Sequence, residues 1–225
     1  MIVFGTVVTL AIFLFVGWAV SSEMFQQRAW RHRVESGDLD ILGALIEEAL
    51  TTWRRARPPR GLPSALWASV QAAQLVAVAP DSATLSTSAE GEFRSEGGSR
   101  VQTSSALDEA IAVAAKLIDM MLYDVPNLRL GSVRVDVYST FSGTNGAPVQ
   151  QPILTTTAER AVADSLTWEA FTPAELLGRF DTHYDRGPAG QPIAITLPPV
   201  VGSAPRPSDE AAADFAAENQ LRDVD

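Results

Sequence analysis

The sequence predicts an α+β protein: an N-terminal transmembrane helix, an amphipathic connecting helix, then a small antiparallel sheet packed against one main helix. Three patterns carry this reading. Residues 2 to 20 form an uncharged apolar run, residues 105 to 123 repeat apolar side chains at helical spacing, and residues 130 to 141 alternate them with the two-residue period of a strand.

The chain has 225 residues, of which 46% are hydrophobic, enough to bury the core of one ordinary domain behind the anchor. Its formal net charge of -10 opposes a phosphate-binding surface, because nucleic-acid affinity comes from Lys and Arg neutralising the backbone, so nucleic acid is set aside as a partner. Cysteine is absent. That removes disulfides, thiolate metal sites, thiol nucleophiles and a lipidated cysteine anchor, and it suits a domain in a reducing compartment.

The apolar run reads IVFGTVVTLAIFLFVGWAV. As a helix it would extend about 28 Å, close to the roughly 30 Å hydrocarbon thickness of a bilayer. A cleaved signal peptide would carry basic residues ahead of a shorter apolar stretch, and no Lys or Arg precedes this one. Trp18, near the far end, suits the headgroup region. Arg28, Arg31 and Arg33 follow the span, so positive-inside counting places the N-terminus outside and the soluble domain in the cytoplasm. The same arginines, with Trp30, fit anionic lipid heads as well as they fit a solvated helix face.

The chain then divides into an anchor (1 to 22), a basic and amphipathic helical arm (23 to 60), an α+β domain (61 to 186) and a Pro/Gly-rich, acidic tail (187 to 225). In the arm, Leu42, Leu45, Ile46, Ala49, Leu50 and Trp53 fall at spacings of three and four, forming one apolar stripe over residues 38 to 57. Asp38 and Asp40 favour its positive end and Arg54, Arg55 and Arg57 its negative end, before Pro58 and Pro59 stop it. At under three heptads, the stripe is expected to pack on the chain's own domain in preference to a partner helix, a homodimer seam or a membrane surface.

After the rigid connector PPRGLP (58 to 63) comes a short helix near Ala65 to Ala73. Leu75 to Val78 and Ala83 to Ser88 then form a hairpin about Pro80-Asp81. Glu96-Gly97-Gly98 separates two further β-prone pieces and offers the sheet another strand. In the main helix, Leu107, Ile111, Ala114, Ile118, Met121 and Leu122 line one face behind the capping residues Ser104 and Ser105, and Asp124-Val125-Pro126 ends it. The strand that follows sets Val133, Val135 and Val137 against Arg134, Asp136 and Tyr138, which implies one buried face. A turn at Gly143 to Gly146 returns the chain through Pro152 to Thr157 as the antiparallel neighbour. Parallel strands in a βαβ unit are not expected. Short helices are predicted near Ala158 to Ala163 and after Thr172-Pro173-Ala174-Glu175, with Trp168 and Phe171 fixing this corner. The stretch IAITLPPVV reads as a last strand or an extended tail, and the segment beyond Ser208 as a solvated acidic tail.

The chain contains neither GxxxxGK[ST] nor GxGxxG, and Lys116 is its one lysine, which disfavours nucleotide hydrolysis. A GxSxG elbow is also missing. His32 lies in the basic run, where a solvated ring explains it. The one constellation with chemistry in it is Asp181-Thr182-His183-Tyr184-Asp185: an extended backbone points Asp181, His183 and Asp185 to one side, a donor set suited to a divalent cation or a general base. Solvated polar side chains on a loop before Gly187-Pro188 explain the same residues. No cofactor motif is found, and Glu47-Glu48 and Asp108-Glu109 read as helix-surface charges.

These patterns favour a membrane-tethered, non-catalytic module that binds another membrane or cytoplasmic protein and leaves room for a homo-oligomer. A ligand-sensing domain with a pocket between sheet and helix is the alternative, and a metal-dependent enzyme built on Asp181, His183 and Asp185 is the third reading.

Overall fold

The computed structural model describes residues 39–91, 93–96, 99–102, 104–143, 146–188 and 190–204, with the side chains of residues 92–103 left aside. The predicted span at residues 2–20, the basic run through Arg28, Trp30, Arg31, His32 and Arg33, and the acidic tail beyond Ser208 lie outside these residues. Among the described residues no helix is long and apolar enough to cross a membrane.

The compact unit begins at Leu39 with helix α1 (Leu39–Arg55). Its apolar stripe is buried as the spacing predicts: Leu42, Ile46, Leu50 and Trp53 all face inward, and the helix packs on strand β1 (Gln74–Ala79) and helix α2 (Ser64–Gln71). Its C-terminal carbonyls are satisfied from α2: the Gln71 side-chain amide donates to the Trp53, Arg54 and Ala56 carbonyls, and the Trp67 indole N–H donates to that of Ala56. The stripe therefore serves the domain's own core.

Strand β1 turns through Pro80-Asp81 into β2 (Ser82–Ser88), an antiparallel hairpin with Leu75 opposite Leu85 and Val78 opposite Ala83. Strands β3 (Phe93–Glu96) and β4 (Ser99–Gln102) pair with each other as a separate two-stranded ribbon, so they add nothing to the main sheet. Helix α3 (Ala106–Asp119) starts at Ser105, whose hydroxyl accepts from the Asp108 N–H. It runs on as a π-helical turn, Met120–Asp124. Strands β5 (Ser132–Ser142) and β6 (Pro148–Glu159) form the long antiparallel pair, with Val133, Val135 and Val137 opposite Ala158, Thr156 and Leu154. A bulge at Ile153 separates Leu154 from Pro152, the kind of place where a strand tolerates a residue without an N–H. Helix α4 (Arg160–Ala163), the 3-10 turn Trp168–Ala170, helix α5 (Pro173–Leu177) and strands β7 (Asp181–His183), β8 (Asp185–Arg186) and β9 (Pro192–Ile193) follow. Thr172 and Glu175 close the capping box at α5.

The main sheet has five strands in the order β1-β2-β5-β6-β7, in a mixed α+β fold. It is not wholly antiparallel, which corrects the sequence expectation: β2 and β5 run parallel, with Ala83, Leu85 and Thr87 beside Val133, Val135 and Val137. Helix α3 supplies the crossover that parallel neighbours require. Local patterning could not show this, because strand direction depends on which strands meet and not on the period of either one.

Candidate functional site

Alternate residues of a strand point to opposite faces, and the five-stranded sheet separates two unlike environments on that basis. Val133, Val135, Val137, Leu85 and Leu154 are buried on the face that carries α3, whose Leu107, Val113, Leu117 and Ile118 are fully enclosed. The registers align two polar rows on the other face. One runs Thr84, Arg134, Thr157, Asp181 and the other Ser86, Asp136, Thr155, His183.

The expectation that β5 would bury one face only needs correction here. Arg134 is 9% exposed and Asp136 2%, so the strand's polar side chains are nearly as enclosed as its valines. The cause lies 64 to 65 residues away in the chain. The segment 195–203 crosses this face: the Ile195 N–H donates to the Pro152 carbonyl at the β6 bulge, and Ser203 exchanges two backbone hydrogen bonds with Val78 on β1. Between those ends, Arg134 Nη2 donates to the Pro198 carbonyl at 3.0 Å and Nη1 to that of Pro199 at 3.1 Å. The stretch IAITLPPVV is thus an extended strap joined to the sheet. Gly202 permits its last turn: its φ is +114°, and a Cβ there would lie 2.5 Å from the Val78 carbonyl oxygen.

Beneath the strap, Asp136 Oδ1 accepts from Arg134 Nε at 2.9 Å and from the Thr155 hydroxyl at 2.6 Å. A guanidinium has donors only, and its bonds to Asp136, Pro198 and Pro199 engage all three of its nitrogens. Buried charges are tolerated when paired and hydrogen-bonded, and among the described residues no buried side-chain N or O lacks a partner. Tyr138, next along the strand, has its phenol pushed up, first by burial and then by the Asp136 charge, against the opposing effect of Arg134.

Asp181 and His183, read from sequence as candidate ligands, stand at the outer end of the two polar rows on β7, both exposed. Asp185 starts β8 opposite Ile193, also exposed. Among the described residues, no three His, Cys, Asp or Glu side chains gather where they could hold a metal ion. Sequence reasoning placed Arg134 and Asp136 on the solvent side of their strand and missed that they are the centre of the face. The available signal was the strand's i, i+2 opposite charges on one side, which nothing local marks as buried.

A second feature lies at the end of the sheet where β5 begins and β6 ends. An open depression of about 490 Å³ is lined by Asp81, Gly131, Ser132, Glu159, Arg160 and Asp164. The Asp81 carboxylate accepts from the Gly131 N–H, and a side chain at Gly131 would overlap that carboxylate. Arg160 is committed to structure: Nε donates to the Leu130 carbonyl, Nη2 to that of Leu122, and the guanidinium lies 5.7 Å from the Tyr123 ring centroid. The Tyr123 hydroxyl donates to Asp164 Oδ1, and its pKa is pushed up to about 12 by burial first and then by that bond and the carboxylate's charge. Trp168 meets Tyr123 edge-on and is only half-buried, as is Phe171, which faces Arg179. The two aromatics cover this corner from outside the core.

No family model, curated protein or solved structure matches the chain.

Proposed function

We propose that this is a single-pass membrane protein, anchored by residues 2–20 with its N-terminus outside, whose cytoplasmic domain is a non-catalytic module that binds another protein and organises an assembly at the membrane. The observation that carries the binding role is where apolar surface is left uncovered. Six large hydrophobic side chains stand exposed among the described residues, and four of them, Tyr184, Ile193, Val200 and Val201, lie on the one stretch 184–201. Single exposed apolar groups are ordinary, whereas their concentration on one segment suits a contact surface. The anchor adds to this by raising the local concentration of whatever the domain holds.

The test is photo-crosslinking of the full chain in native membranes from a probe at Val201, with and without Val200→Asp. A discrete adduct that the substitution removes is expected. Recovery of the chain alone from both preparations would overturn the reading. A ligand sensor is the second reading, supported by the open depression beside Asp81, Glu159 and Asp164, although that depression lies at the sheet's end and not between sheet and helix.

A further inference from the structure

The strap is fastened in an unusual way for part of a core. Among the described residues its hydrogen bonds to the sheet are at Ile195, at Pro198 and Pro199 through Arg134, and at Ser203. Ile195 is its one buried side chain, Leu197 is half-buried, and Thr196, Pro198, Pro199 and Val200 are exposed with Val201 at 73%. The side chain that holds it is polar: Arg134, buried with its hydrogen-bond partners Asp136 and Thr155, beside Thr84 and the small Ala77 in the same row. An apolar face would be driven to stay closed, but hydroxyls and a hydrogen-bonded ion pair regain water when uncovered.

The central fastening also selects a chemistry. Asp136 and Thr155 fix the guanidinium so that its two outer nitrogens reach successive backbone carbonyls. Consecutive prolines suit such a donor-only group, since they offer carbonyls, bring no N–H that needs an acceptor, and hold an extended form at low entropic cost. At the flanks, Pro152 needs an N–H donor and the outer edge of β1 accepts strand-like pairing.

We propose that this sheet face is a receptor for an extended, proline-containing segment of a partner protein, occupied in cis by residues 195–203 and entered in trans when they are displaced. The inference names the partner chemistry of the assembly module and rests on that reading for its biological use. Exchange on the face is nonetheless measurable without any native partner.

The experiment uses the full chain in detergent micelles and a fluorescent peptide with the sequence of residues 192–204. Gly202→Val should break the cis bridge at Val78 while leaving Arg134 in place. The variant is expected to bind the peptide at least tenfold more tightly than the unmodified chain, and adding Arg134→Gln is expected to abolish that binding. Replacing Pro198 and Pro199 of the peptide by alanine should weaken it several-fold. A folded Gly202→Val chain that binds no peptide would overturn the proposal, and equal binding of the alanine peptide would overturn its proline preference. A dimer of the unmodified chain that Arg134→Gln dissolves would give the face to a second copy and overturn a heterologous partner.

Hydrogen exchange on the unmodified chain keeps the idea testable should the variants misfold. The amides of Ile195 and Ser203 are expected to exchange at least tenfold faster than that of Val135, and equal protection would overturn a releasable strap. Peptide binding without a membrane adduct at Val201 would sink the assembly reading alone. An adduct with a strap that never opens would sink this inference alone.

Discussion

Arg134 and Asp136 occupy positions two apart on the central strand and share one buried hydrogen bond. Removing one partner of such a pair leaves the other charge buried, an effect on the order of 3 kcal/mol or more. Asp136→Asn is therefore expected to lower unfolding stability by about 3 kcal/mol, read from urea denaturation followed by tryptophan emission. An unchanged midpoint would mean that Arg134 finds water without it. In the π-helical turn that precedes the strand, Tyr123 sets a pH dependence. Its phenol is an acid whose folded pKa is raised from 10.0 to about 12, so the folded state holds the proton more tightly than the unfolded state. Its contribution is fully present below pH 10 and is lost as pH rises from 10 toward 12. Tyr123→Phe should flatten the stability profile in that window, measured as melting temperature against pH. A variant with the same alkaline slope as the parent would assign that slope to other groups.

The helices show how local chemistry sets an element's ends. Ser105 accepts from the Asp108 N–H at the start of α3, and Ser105→Ala is expected to cost about 1 kcal/mol, seen as a lower denaturation midpoint at unchanged slope. At α5, Glu175 accepts from the Thr172 N–H and hydroxyl, which hold its carboxyl below the ordinary range. Its folded pKa is depressed, so its contribution is present above the usual value of 4.5 and fades as pH falls through the lowered one. The strap is the contrasting element. Its shape comes from two prolines, a glycine at positive φ and an arginine on another strand, and it has no periodic pattern of its own.

At the scale of the whole molecule the decisive question is where the domain sits. The chain has no cysteine, so a single cysteine at the exposed position Glu169 gives a clean label. Intact cells treated with a membrane-impermeant maleimide should show no labelling until they are permeabilised. Labelling of intact cells would reverse the orientation that Arg28, Arg31 and Arg33 imply. Deleting residues 1–22 is expected to move the chain from the carbonate-resistant membrane fraction to the supernatant, and retention in the membrane would place the attachment elsewhere.

Whatever is written in short-range periodicity was legible in the sequence. The stripe from Leu42 to Trp53, the Ser105 start of α3, the valine alternation of β5, the hairpin at Pro80-Asp81 and the capping box at Thr172 all appear where spacing and turn chemistry put them, because each depends on neighbours within a few residues. The parallel pairing of β2 with β5, the separation of β3 and β4 as a ribbon and the burial of Arg134 and Asp136 had no such signature. Each depends on chain segments that meet only in the folded state. A polar strand face reads as solvent-facing until something covers it, and here the cover is a proline-containing segment 64 to 65 residues further along. Sequence identified the strongly patterned elements, and tertiary structure alone decided which of their faces the rest of the chain encloses.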